Sequence, residues 1–212
     1  MFGRILGILI FRRATYLEIA KDKSAIGQAL ILVVISSLLY GFIGAAVVAG
    51  YWAGAWPGKI APVAGRGAIA SFAPFISWII VAVLLVLVSG LFKGKTTIGE
   101  MLRVTAFVGG VFGIPALVLA SVLASLGAAS AMEAVVGVIA ILEFGGYTIG
   151  VSEAAGITMR KAFIVALVAV FVGFFVVIFF ADLIIGLLKI PVAQAYFSPS
   201  TTTRMLRSRM AE

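Results

Sequence analysis

AFIVALVAVFVGFFVVIFFADLIIGLL, Ala162 to Leu188, holds 27 residues and a single charge, Asp182. Six of the chain's 16 phenylalanines fall inside it. A helix crosses the roughly 30 Å hydrocarbon core of a bilayer with about 20 apolar residues. Helices of soluble cores carry an apolar stripe. One that is apolar all round at this length has lipid for its solvent. The other long apolar runs of the chain are read in the same solvent, and they set an all-α, integral membrane architecture.

Composition supports this. Of 212 residues, 63% are hydrophobic and only 11% charged, with a mean hydropathy of +1.25. This does not suit a water-soluble domain. The net charge is +8. The basic residues lie between apolar runs, where they face lipid headgroups and set topology; nucleic acid is not an expected partner. There is no cysteine and no histidine. Disulfides, thiol chemistry, His- or Cys-ligated haem and typical zinc sites are thereby excluded, and no cofactor is expected. The commonest general base is missing as well. G-x-S-x-G, H-E-x-x-H and a phosphate-binding loop are not found, so the chain reads as non-enzymatic.

Residues 1–24 read as a cytoplasmic segment with five basic residues. Phe2, Ile5, Leu6 and Leu9 have helical spacing, which predicts a short interfacial helix. Arg12 and Arg13 follow the apolar Ile5–Phe11 directly, with no small-residue cleavage site, so this segment is read as retained. Five spans follow, at about 25–50, 74–92, 104–126, 131–150 and 162–188. Ser24 is expected to cap the first. Tyr51–Ala73, with Trp52 and Trp56, reads as a loop carrying interfacial aromatics. Thr97 with Glu100, and Ser130 with Glu133, have capping-box spacing before the third and fourth spans. Pro115 lies inside the third span and predicts a kink or break, eased by Gly109, Gly110 and Gly113. Residues 189–212, rich in Ser, Thr and Arg, read as a disordered tail.

With five spans the termini lie on opposite sides. The N-terminal side collects 10 basic residues and the other side 6, of which four belong to the tail. The positive-inside rule then places the N-terminus in the cytoplasm and the C-terminus on the far side of the cell membrane.

The order of parts resembles a known family at three places: Arg13-Ala-Thr-Tyr-Leu-Glu-Ile-Ala-Lys-Asp before the first span, Lys93-Gly-Lys-Thr-Thr-Ile-Gly-Glu-Met-Leu-Arg103 opening the third, and Ile149 to Ala162 joining the fourth to the fifth. These are similar to the Yip (Ypt-interacting protein) domain family in its bacterial or archaeal form, over about Arg12 to Leu188. The resemblance implies five helices and a cytoplasmic N-terminus. Eukaryotic members act in vesicle traffic, bind small GTPases and associate with one another. They carry a Gly-Tyr-x-x-x-Pro motif in the third helix. Gly110 and Pro115 match its spacing, but Val111 stands where the tyrosine would be, and the long N-terminal region is absent. Small-GTPase binding is therefore not carried over.

Glu143 is the most pointed residue. It lies seven residues before Gly150, about 10 Å inside the cytoplasmic end of the fourth span. A charge at that depth must be paired or protonated. One reading pairs it structurally with Arg103. A second has it handle protons or ions in a polar path, and a third has it bind headgroups. Asp182, 20 residues after Ala162, is expected at the far interface. The chain has 24 glycines, so GxxxG pairs such as Gly50/Gly54 arise by chance; Gly109/Gly113 and Gly146/Gly150 are read as packing sites. Arg12, Arg13, Lys93 and Lys95 are candidate lipid-headgroup contacts. Together these features predict a multi-pass protein that organises membrane, or scaffolds other membrane proteins or itself. The competing prediction is a small permease or channel subunit with Glu143 in its path.

Overall fold

The computed structural model describes residues 1–48 and 71–187. The expected Trp52 loop, the Gly50/Gly54 pair and the tail lie outside these residues. Seven helices and no strand occur among the described residues: α1 (Phe2–Leu9), α2 (Arg13–Lys21), α3 (Ala25–Val48), α4 (Phe72–Leu91), α5 (Ile98–Ser125), α6 (Ala129–Ala155) and α7 (Met159–Leu187). Four of the described helices, α3 to α6, are long and apolar enough to cross a membrane. The chain forms two compact units, Met1–Phe174 and Phe175–Glu212, which meet in sequence within α7.

α5 is the hub: α1, α2, α3, α4 and α6 all pack against it. Its first half is enclosed, with Met101, Arg103 through Val108, and Gly110 through Phe112 all buried. Its second half opens, with Val118, Leu119 and Val122 exposed. In lipid the hydrophobic effect does not drive helices together, so close packing at small residues must. A methyl group placed on Gly110 would come within 2.7 Å of Leu32 Cβ in α3. One on Gly146 would come within 2.9 Å of Val108, and one on Gly150 would overlap the side chain of Val104. These glycines let α3 and α6 approach α5 backbone to side chain. Gly113 differs, with nothing within 4 Å of where its methyl would stand.

The helix ends follow local chemistry in part. Thr97 and Glu100 form the expected capping box: Glu100 N–H donates to Thr97 Oγ1 at 3.2 Å, and Thr97 N–H donates to Glu100 Oε2 at 2.8 Å. The Ser130/Glu133 box does not form. α6 begins two residues earlier than that box requires, with Ala128 at its cap and no side-chain capping bond. Ser24 spends its hydroxyl on Asp22 Oδ1, at 2.7 Å, as a local turn before α3. Gly156 ends α6 in the left-handed region, φ +64°, where glycine is favoured. Of the kink or break expected at Pro115, the break does not occur, since α5 runs without interruption from Ile98 to Ser125. Losing one intrahelical bond did not stop a helix whose neighbours hold it on both sides of the proline.

Candidate functional site

At the α2 end of the bundle the polar groups find partners. Arg103 is buried, 7% exposed. Its Nε donates to the Ile19 carbonyl at 3.1 Å, and Nη2 donates to the Ala20 carbonyl. Both carbonyls belong to the last turn of α2, which has no intrahelical donors of its own and favours a cation. Lys21 reaches Glu100 at 2.7 Å, and Arg13 pairs with Glu153. Arg4 of α1 donates to Glu18 at 2.9 Å and Gln28 at 3.2 Å, and also pairs with Asp22. The hydrogen bonds from Ser24 and then Arg4 hold the Asp22 carboxyl down at about 2. Tyr16 lies fully buried beside Gly146 and Gly150, and its hydroxyl donates to the Ile8 carbonyl at 3.2 Å. Burial raises that phenol well above its ordinary value.

This network corrects the expected Arg103–Glu143 pair, which does not form. α6 continues five residues past Gly150 to Ala155, so Glu143 lies twelve residues, about 18 Å, from its end. Arg103 is only five residues, about 8 Å, into α5. The guanidinium is consumed by nearer carbonyls.

Glu143 instead faces an open-sided cavity of about 340 Å³ lined by α3, α4, α5 and α6. Its Oε1 accepts a 2.9 Å hydrogen bond from the hydroxyl of Tyr147, one helical turn on. Gly109 stands opposite: a methyl there would lie 3.2 Å from the Tyr147 hydroxyl and 3.7 Å from Glu143 Oε1. The open flank of Gly113 lines the same space. Trp78 of α4 forms part of the wall, its indole N–H fixed on the Leu102 carbonyl at 3.0 Å. Ser37 of α3 is 4% exposed and lines the cavity, and its hydroxyl has no hydrogen-bond partner. A buried hydroxyl without a partner is costly, and a native structure that keeps one requires an explanation.

Of the basic candidates, Arg12, Arg13, Lys93 and Lys95 are all exposed, and Arg13 is taken up by Glu153. The loop carrying Lys93 and Lys95 is pinned to the end of α6, where Lys95 N–H donates to the Ala155 carbonyl at 2.9 Å. Phe11 escaped the sequence reading. It holds a left-handed φ of +55°, and its ring stacks on Phe112 at 5.7 Å, which anchors the α1–α2 turn to α5. Nothing in the local sequence marks it, because an aromatic at positive φ is a tertiary accommodation. Tyr147 was visible in principle, four residues from Glu143. Ser37 and Trp78 reach the site from other helices and carry no such signal.

No curated protein and no solved structure matches the chain. The sequence pattern of the Yip1 domain matches residues 6–180, which takes in α2 through α6 with Arg103 and Glu143. By that match the protein is a multi-pass membrane protein of the Yip1 domain family.

Proposed function

We propose that this is a non-enzymatic protein that organises the membrane around it through its N-terminal hairpin. One observation carries the reading. α1 is locked in place by Arg4, by the Tyr16–Ile8 bond and by the close approach of Gly7 to Thr15, yet it presents Phe2, Leu6, Leu9 and Ile10 unburied, with Phe2 74% exposed. A rigid apolar edge beside a membrane bundle belongs among acyl chains. It adds volume to one leaflet only, and lipids are its first partners. Arg12, Lys93 and Lys95 would meet anionic headgroups from the same side.

The reading includes five spans, with α7 as the fifth. The N-terminus is cytoplasmic and the C-terminus lies across the cell membrane. Scaffolding of other membrane proteins, or of further copies, would use the same lipid-facing surface; small-GTPase binding has no support in Val111.

The test is reconstitution into vesicles at rising protein density, with vesicle diameter read by electron microscopy. The expected result is smaller or tubulated vesicles, lost in the Phe2→Ser, Leu6→Ser, Ile10→Ser variant. Unchanged vesicle shape for the native chain, or a specific solute flux abolished by Glu143→Gln, would overturn the reading in favour of a transport subunit. Labelling of Ala61→Cys from the cytoplasmic side alone would reverse the topology. That experiment is clean, because the chain has no native cysteine.

A further inference from the structure

We propose that the cavity between α3, α4, α5 and α6 is a binding site for a small lipophilic amine: one ammonium group on a compact apolar body.

Glu143 lies about 18 Å from the end of α6, and Ser37 twelve residues, about 18 Å, from the start of α3. Both are at the level of the bilayer interior, where a carboxylate needs a cation or a proton. Among the described residues lining the cavity there is no lysine or arginine, and Glu143 is the sole charged side chain. Arg103, a buried cation on α5, is committed to the carbonyls of α2. The site therefore repels anions and lacks a counter-charge of its own.

The rest of the wall fits the same guest. Tyr40, Trp78 and Tyr147 bring three aromatic rings to the cavity, and ring faces attract ammonium groups. Val33, Val81 and Leu117 supply apolar surface for the body. Ser37 offers a buried hydroxyl with nothing to bond, and Gly109 leaves the Glu143–Tyr147 pair uncovered. An ammonium has three donors: the carboxylate and the Ser37 oxygen are acceptors on the lining that could take them. At about 340 Å³ the space is within the range of small-molecule sites and far below that of a diacyl lipid.

Three compounds sharing one apolar cage test this: 1-adamantanamine, 1-adamantanol and 1-adamantanecarboxylate. Binding is followed by Trp78 fluorescence in the full chain, reconstituted in neutral-lipid nanodiscs, with Trp52→Phe and Trp56→Phe removing the other tryptophans. The amine should bind saturably, and the carboxylate should not bind. Glu143→Gln should weaken the amine roughly tenfold or more while leaving the alcohol unchanged. Ser37→Ala should weaken the amine about threefold. Gly113→Leu places a side chain into open space within the cavity, so it should keep the melting temperature and abolish binding of the amine and the alcohol. The proposal fails if the alcohol or the carboxylate binds as tightly as the amine. It fails equally if Glu143→Gln leaves amine affinity intact, or if Gly113→Leu still binds.

Discussion

The Arg103 network and the Glu143 cavity both draw on α3, α5 and α6 and differ in how their polar groups are treated. Around Arg103, α2 supplies carbonyls to the guanidinium, Glu100 serves Lys21 and its own cap at once, and Arg4 ties α1 to α2 and α3. Around Glu143, one carboxylate is held by one tyrosine, a serine hydroxyl is left alone, and two glycines keep side chains out. Both regions are polar inside a membrane protein. The first is closed and reads as architecture, while the second is open and reads as a place for something else. A buried polar group with all its partners stiffens a fold, whereas an unpartnered one is costly and requires an explanation.

The sharpest way to break this contrast is to remove Arg103. Arg103→Gln strips both α2 carbonyls of a charged donor and should cost about 3 kcal/mol, read by thermal unfolding in detergent. The loss should add to that of Glu143→Gln within about 0.5 kcal/mol, because the two share no partner. Strong non-additivity would mean that the two regions are one network after all.

Glycine substitution comes next in size. Gly150→Ala drives a methyl into Val104 and should destabilise by about 2 kcal/mol. Gly113→Ala meets nothing and should be neutral or stabilising by up to about 1 kcal/mol from helix propensity alone. Equal effects at the two positions would erase the distinction between a packed flank and an open one.

The smallest effect is at the N-terminal hairpin. The folded Asp22 pKa is depressed from 3.8 to about 2. The hold of this carboxylate on Arg4 is therefore complete above the unfolded value and is lost as pH falls through the folded one. A nitroxide on Gly3→Cys, where the side chain meets nothing, should gain mobility as pH drops from about 4 to about 2. Asp22→Asn should be mobile at both ends of that range. A label equally immobile at both would place the lock elsewhere, in Phe11 and Tyr16.

Much of the fold was legible one residue at a time. Lipid as solvent followed from the length and purity of Ala162–Leu188 and its fellow runs, since hydrocarbon thickness sets the residue count directly. The Thr97/Glu100 box was legible because its partners are three residues apart. The Ser130/Glu133 box has the same spacing and failed, because α6 started elsewhere and spacing cannot fix a boundary to one residue.

By itself, then, the sequence determined what is local or additive: the membrane, the helical class, one helix cap, and the family by the order of its segments. Only the tertiary structure decided which partner each buried polar group received. Arg103 could reach several acceptors in principle, and the docking of α2 settled which. Gly113 and Gly150 are the same residue in the same kind of helix, yet one faces a void and the other a valine. Ser37 is one of many hydroxyls in apolar helices, and its lack of a partner depends on side chains of three other helices that stop short of it. Such properties belong to the space between helices, whose shape is a sum over contacts distant in the chain and has no period or spacing in the sequence to announce it.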